Sequence, residues 1–172
     1  MPNPVQVLQN TPLWAFAVLA MLIVLGVQAL RPRTVPVRRM FAVPTVFIIW
    51  GVITLATRSF SSPLLLLDWL IACGAGLAIG WRTAQPDRVI IDRVRGLVTV
   101  PGSAFPLVRN LFIFAAKYVL AVAVVVAPGL RSVLVPSDVI VSGLAAGYFI
   151  GWLLRFGLKF RSIGELEAVT SQ

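Results

Sequence analysis

Lys117 is the side chain in this sequence whose type and setting point most directly to chemistry. Counted from Leu107, it lies near the middle of an apolar run, where an ammonium group costs roughly 2.5–3.5 kcal/mol to insert into a bilayer. A lysine at that depth must face a bundle interior or a wet cavity and find a partner. Asp68 is the leading candidate, about one turn inside the outer end of the third apolar run and about 9 Å away along the axis by helix rise. Asp138, at the outer start of the fifth run, is the second. Such an intramembrane pair can bind an ion or relay a proton. It can also simply tie helices together, or let the lysine stem snorkel past its neighbours.

The remaining chemical inventory is thin. The 172 residues include no histidine and one cysteine, Cys73, which reads as a small packing residue. No disulfide forms within such a chain and no thiol pair shuttles electrons. Metal sites built on His or Cys, His-ligated haem, and Ser-His or Cys-His nucleophiles are excluded, and no metal or other cofactor is expected. A carboxylate mechanism would have to draw on six acids, most of them in loops or the tail. The composition argues against an enzyme.

The elements that must position Lys117 follow from the apolar pattern. The chain is 59% apolar and 12% charged, with a mean hydropathy of +0.94. So few charges leave too little polar surface to cover a globule in water, and lipid becomes the natural partner for the outward faces. Five runs, at about 13–30, 40–57, 64–81, 107–127 and 139–156, are each near the ~20 residues that cross a bilayer. The expected fold is an all-α membrane protein, 1–172 forming one integral domain of five transmembrane helices. Between the third and fourth helices, at about 88–101, Val89-Ile90-Ile91 and Leu97 to Val100 flank a turn at Asp92 to Gly96 and predict a small cytoplasmic β-hairpin. The tail from Ser162 is expected to be short, polar and frayed.

Arginines set the expected orientation. Arg31, Arg33, Arg38, Arg39, Arg82, Arg88, Arg93, Arg95, Arg109, Arg155, Lys159 and Arg161 fall on one side, against Arg58 and Arg131 on the other. The positive-inside rule puts the larger group in the cytoplasm, so the N-terminus is outside and the C-terminus inside, in a bacterial inner membrane. The segment before the first run carries no Lys or Arg, so that run is expected to be a retained helix and not a signal peptide. The net charge of +9 sits in short clusters between apolar runs, which argues against nucleic acid as a partner. Arg31, Arg33, Arg38, Arg39, Arg93 and Arg95 are candidate contacts for lipid headgroups, or serve only to enforce topology.

Two stripes of small residues at four-residue spacing let backbones approach closely: Gly143, Gly147 and Gly151 on the fifth helix, and Ala72, Gly76 and Gly80 on the third. Both helices cross in the same direction, so they pack on each other or one of them supports a homodimer.

The run from Leu30 to Met40 before Pro44 resembles a loop in a group of uncharacterised five-helix bacterial membrane proteins. The spacing of Asp92, Gly96, Val98, Val100 to Ser103 and Pro106, the pair Lys117-Tyr118, and the glycine-rich last helix through Trp152 to Arg155 are similar as well. More distantly, the layout resembles the CcdC-like membrane proteins, named for their proximity to cytochrome c maturation genes. The resemblance covers nearly the whole chain and implies a five-helix inner-membrane fold with no established activity. Three function classes follow: a non-catalytic accessory or scaffold protein, with a homodimer or another membrane protein as its partner; a small ion-coupled transporter working as a dimer through Lys117 and Asp68; and a lipid- or quinone-modifying enzyme.

Overall fold

In the computed structural model, residues 11–59, 62–85, 88–92 and 95–170 are described. Five principal helices occur among them: α1 (Leu13–Gln28), α2 (Ala42–Thr54), α3 (Pro63–Thr83), α4 (Phe105–Val126) and α5 (Arg131–Thr170). A single turn, Val37–Met40, leads into α2, and a π-helical turn, Leu55–Ser59, prolongs it. Three strands, β1 (Arg33–Pro36), β2 (Ile90–Asp92) and β3 (Leu97–Val100), gather at one end of the bundle.

Four helical runs are long and apolar enough to cross a membrane: Val37–Arg58, Pro63–Thr83, Phe105–Val126 and Pro128–Ser162. The α1 helix is apolar but shorter, 16 residues, about 24 Å by helix rise. The outward faces are apolar: Ile71, Phe112, Val119 and Val125 are all more than 60% exposed, while Thr54, Asn110, Lys117, Asp138 and Ser142 are buried. Polar groups inside and large hydrophobic side chains outside is the make-up of a multi-pass membrane protein, because only lipid solvates such a surface without penalty.

Helix α5 departs from the expected 139–156 at both ends. It begins at Arg131 and runs through Pro136, which sits in its interior. Proline near a helix start removes few intrahelical bonds, and the Ser137 hydroxyl donates to the Val133 carbonyl across the same turn (2.9 Å). At the far end, Glu165 to Ala168 are strong helix formers, and the helix continues to Thr170 where a frayed tail was expected.

The expected hairpin is present, with Ile90 opposite Thr99 and Asp92 opposite Leu97, and Gly96 takes the positive φ (62°) that its turn needs. A third strand was not expected. β1 pairs antiparallel with β3, Arg33 opposite Val100 and Pro36 opposite Leu97, giving the order β1-β3-β2. Pro36 lies on the edge strand, where a missing N–H is tolerated. Val35 and Val98 face each other across the register and are both buried, and Thr34 and Thr99 share a hydroxyl hydrogen bond of 2.8 Å. The Ser103 amide donates to the Ala29 carbonyl (2.7 Å), fastening the sheet to the end of α1.

The bundle core is aromatic. Phe47 of α2 stacks on Phe149 of α5 at 5.1 Å, with Leu22, Phe114 and Tyr148 closing the same cluster. The most extensive helix interface joins α3 and α5. There a side chain added at Gly143, Gly147 or Gly151 would strike the backbone carbonyls of Trp69, Cys73 or Leu77 in turn. Added at Gly76 or Gly80, it would strike those of Leu144 or Tyr148. Both numberings rise together, so the two helices run parallel and their small residues pack within one chain. Gly147→Val should therefore destabilise the protein by about 1–3 kcal/mol or more, since a backbone carbonyl has nowhere to go. Gly129→Ala, which meets nothing within 4 Å, should stay within about 0.5 kcal/mol of the parent. Thermal unfolding in detergent, followed by tryptophan fluorescence, compares the two.

Candidate functional site

Lys117 lies twelve residues into α4, about 18 Å from its start, and is 3% exposed. Its partner is Asp138. The Lys117 ammonium donates to Asp138 Oδ1, and its Nζ also lies 3.4 Å from the Asp138 carbonyl oxygen and 3.4 Å from Thr54 Oγ1. The Thr54 hydroxyl in turn donates to the Trp50 carbonyl one turn back (3.0 Å), and the Trp50 ring lies 5.6 Å from the ammonium. The second carboxylate oxygen, Oδ2, faces Arg58 Nη1 at 3.3 Å. Arg58 Nη1 is buried without hydrogen-bond geometry, so that contact is electrostatic. One carboxylate thus bridges two cations, and α2 with its π turn, α4 and α5 meet at it.

Asp68, the leading partner expected from sequence, is half-buried on α3 and makes no ion pair among the described residues. The reason lies in α5. Because that helix starts at Arg131 and not near 139, Asp138 sits about two turns inside it, about 10 Å from its start. That places its carboxylate at the level of the lysine, whereas α3 packs chiefly along α5. One turn beyond Asp138, the Ser142 hydroxyl is buried with no hydrogen-bond partner among the described residues.

A second polar layer lies toward the sheet end. Arg109 Nη1 donates to the Tyr148 hydroxyl (3.1 Å), which also receives Thr83 Oγ1 (3.2 Å), while Arg109 Nε donates to Asn110 Oδ1 (3.0 Å). The guanidinium lies over the rings of Phe149 (4.8 Å) and Tyr148 (5.0 Å), which supply the negative faces that a cation favours. Sequence reasoning counted Arg109 only as a topology residue. The buried positions of α4, Asn110, Phe114, Lys117 and Val124, fall on one face at heptad spacing, and Arg109 is half-buried beside them.

A partly open cavity of about 720 Å³ sits beneath the sheet, bordered by the ends of α1 and α3, the starts of α2 and α4, and Tyr148, Phe149 and Trp152 of α5. Of the headgroup candidates, Arg33 and Arg39 line it and both reach Gln28 Oε1 (3.4 and 2.5 Å). Burial, and after it the positive charge of Arg39, lower the Arg33 pKa from its ordinary value. Arg31 and Arg38 are exposed, Arg95 pairs loosely with Asp92 at 3.9 Å, and Arg93 lies outside the described residues. No cluster of metal-binding side chains occurs among the described residues.

Removing Asp138 leaves the Lys117 ammonium buried without a counter-charge, and removing Lys117 leaves Asp138 only the 3.3 Å contact with Arg58. Lys117→Met and Asp138→Asn should each cost about 3–5 kcal/mol, whereas Lys117→Met combined with Asp138→Leu should recover most of that loss. Asp68→Asn should stay within about 0.5 kcal/mol. Unfolding midpoints in detergent for the four variants read out the comparison.

No functionally curated protein and no solved structure matches the chain. A family model does, over residues 3–159, which takes in all of α1 to α4, the sheet, and α5 as far as Lys159. The chain therefore belongs to a family of unknown function, DUF6622.

Proposed function

We propose that this protein is an accessory or assembly-type component of a bacterial inner membrane, its N-terminus outside and its C-terminus in the cytoplasm. The observation that carries the proposal is the burial of Lys117 and Asp138 on each other in an ion pair. Lys117 and Asp138 are each 3% exposed and are ion-paired to each other. A group used to move ions needs to exchange partners; a group used to hold helices does not. The asymmetric distribution of arginines supports the orientation.

A second reading keeps the ion-coupled carrier, working as a dimer. It no longer runs through Asp68, and it draws on one observation: Arg58 is 32% exposed while touching Asp138, so a charged side chain links the buried pair to the surface.

Two measurements separate the readings. Purification of the tagged chain in mild detergent should yield a second membrane protein in stoichiometric amount. The Lys117→Met/Asp138→Leu variant should keep that partner and support normal growth. Loss of growth with normal protein level and partner retention would favour the carrier. A reporter fused after Gln172 should be active in the cytoplasm, and periplasmic activity would overturn the orientation.

A further inference from the structure

The cavity beneath the sheet is lined by Arg33, Arg39, Arg82, Arg88 and Arg109, and no carboxylate is among its described lining residues. Five cations around one space repel one another, with Arg39, Arg82 and Arg88 exposed to screening by water and Arg33 and Arg109 half-buried. Two signs of that unmet demand are on view. Arg33 and Arg39 converge on the same neutral oxygen, Gln28 Oε1, and the Arg33 pKa is lowered by burial and by Arg39. Arg109 rests on aromatic rings and a phenol in place of an acid.

The start of α4 completes the surroundings. Ser103, Phe105 and Pro106 also line the cavity, so the positive end of a 22-residue helix opens onto it. Apolar side chains, among them Leu25, Val43, Phe149 and Trp152, share the lining. Guanidinium forks match phosphate oxygens in geometry and charge. We propose that this cavity binds an anionic phosphate group, held by Arg33, Arg39 and Arg88 at the start of α4, on a ligand whose apolar part lies along Val43 and Trp152. A lipid headgroup and a soluble phosphate ester share this chemistry, and the apolar part of the lining fits the first better.

The test uses the full chain in nanodiscs, with bound phospholipid counted by native mass spectrometry after release. Discs of phosphatidylcholine alone are compared with discs containing phosphatidylglycerol. In a separate arm, inorganic phosphate or chloride at equal ionic strength is added to protein in neutral detergent, and the melting temperature is recorded. Preferential retention of phosphatidylglycerol assigns the site to lipid. Protection by phosphate over chloride, without lipid retention, assigns it to a soluble ester.

In either arm, Arg33→Gln/Arg39→Gln/Arg88→Gln should weaken binding about tenfold or more, the loss expected when charge-assisted contacts are removed. A charge-matched variant at exposed sites outside the cavity, Arg38→Gln/Arg95→Gln/Arg161→Gln, should bind as the parent does. Equal loss in both variants would mean diffuse surface charge and would overturn the proposal. So would binding of phosphatidylcholine as tightly as phosphatidylglycerol, or no effect of either probe. Because Arg33 and Arg39 also reach Gln28, melting of the cavity variant without added ligand shows separately whether it is folded.

Discussion

A carboxylate enclosed between two cations governs the rest of this structure. In an apolar interior an isolated charge is very costly, and a mutual pair is tolerable only when its geometry is good and its remaining hydrogen-bonding capacity is used. Asp138 meets that condition by taking Lys117 on one oxygen and Arg58 on the other, while Thr54 offers its hydroxyl oxygen to the ammonium. The consequence is positional. Helix α4 cannot slide along α5 by a turn without separating the charges, and α2 is held in step through Thr54 and Arg58. The parallel seam of small residues then fixes α3 against α5. Each contact limits a different degree of freedom, so four helices share one register.

The polar groups inside the bundle are layered. The charge cluster lies toward one end, and the Arg109, Tyr148 and Thr83 layer toward the other. The apolar cluster that holds Phe47, Phe149 and Phe114 lies between them. On α4 alone, Asn110 and Lys117 are seven residues apart with Phe114 between them on the same face, about 10 Å along the axis. Apolar packing between two polar layers keeps them from meeting and leaves each to find partners at its own level.

The helical plan was legible because lipid-scale apolar runs differ so strongly from the arginine-rich connections. Lys117 was legible for the same reason, as a charge isolated in such a run. Its partner was not. Pro136, Ser137 and Asp138 are residue types that commonly open helices, so the two preceding turns of α5 were hidden and Asp138 was placed too shallow. The edge strand β1 was hidden by Pro32 and Pro36, which flank only three other residues of strongly mixed character. An arginine at the mouth of an apolar run marks topology by default, so nothing in the local pattern around Arg109 sets it apart from the other arginines of the connections. Local composition reports which stretches are buried in lipid. It carries little about which of two acids, on helices distant in sequence, arrives at the right height.

The pairing of β1 with β3 has a consequence for biosynthesis. Thr34 and Thr99 are 65 residues apart in the chain, yet they sit side by side in the sheet. When the first helix and the segment after it have left the ribosome, β1 has no mate, and it waits until two further helices have been made and the chain has returned to the same side. The first connection is therefore finished late, after more than half of the polypeptide exists. Formation of the early helices and closure of the sheet become separate events, with an interval in which the arginines of that first connection lack their neighbours in the sheet.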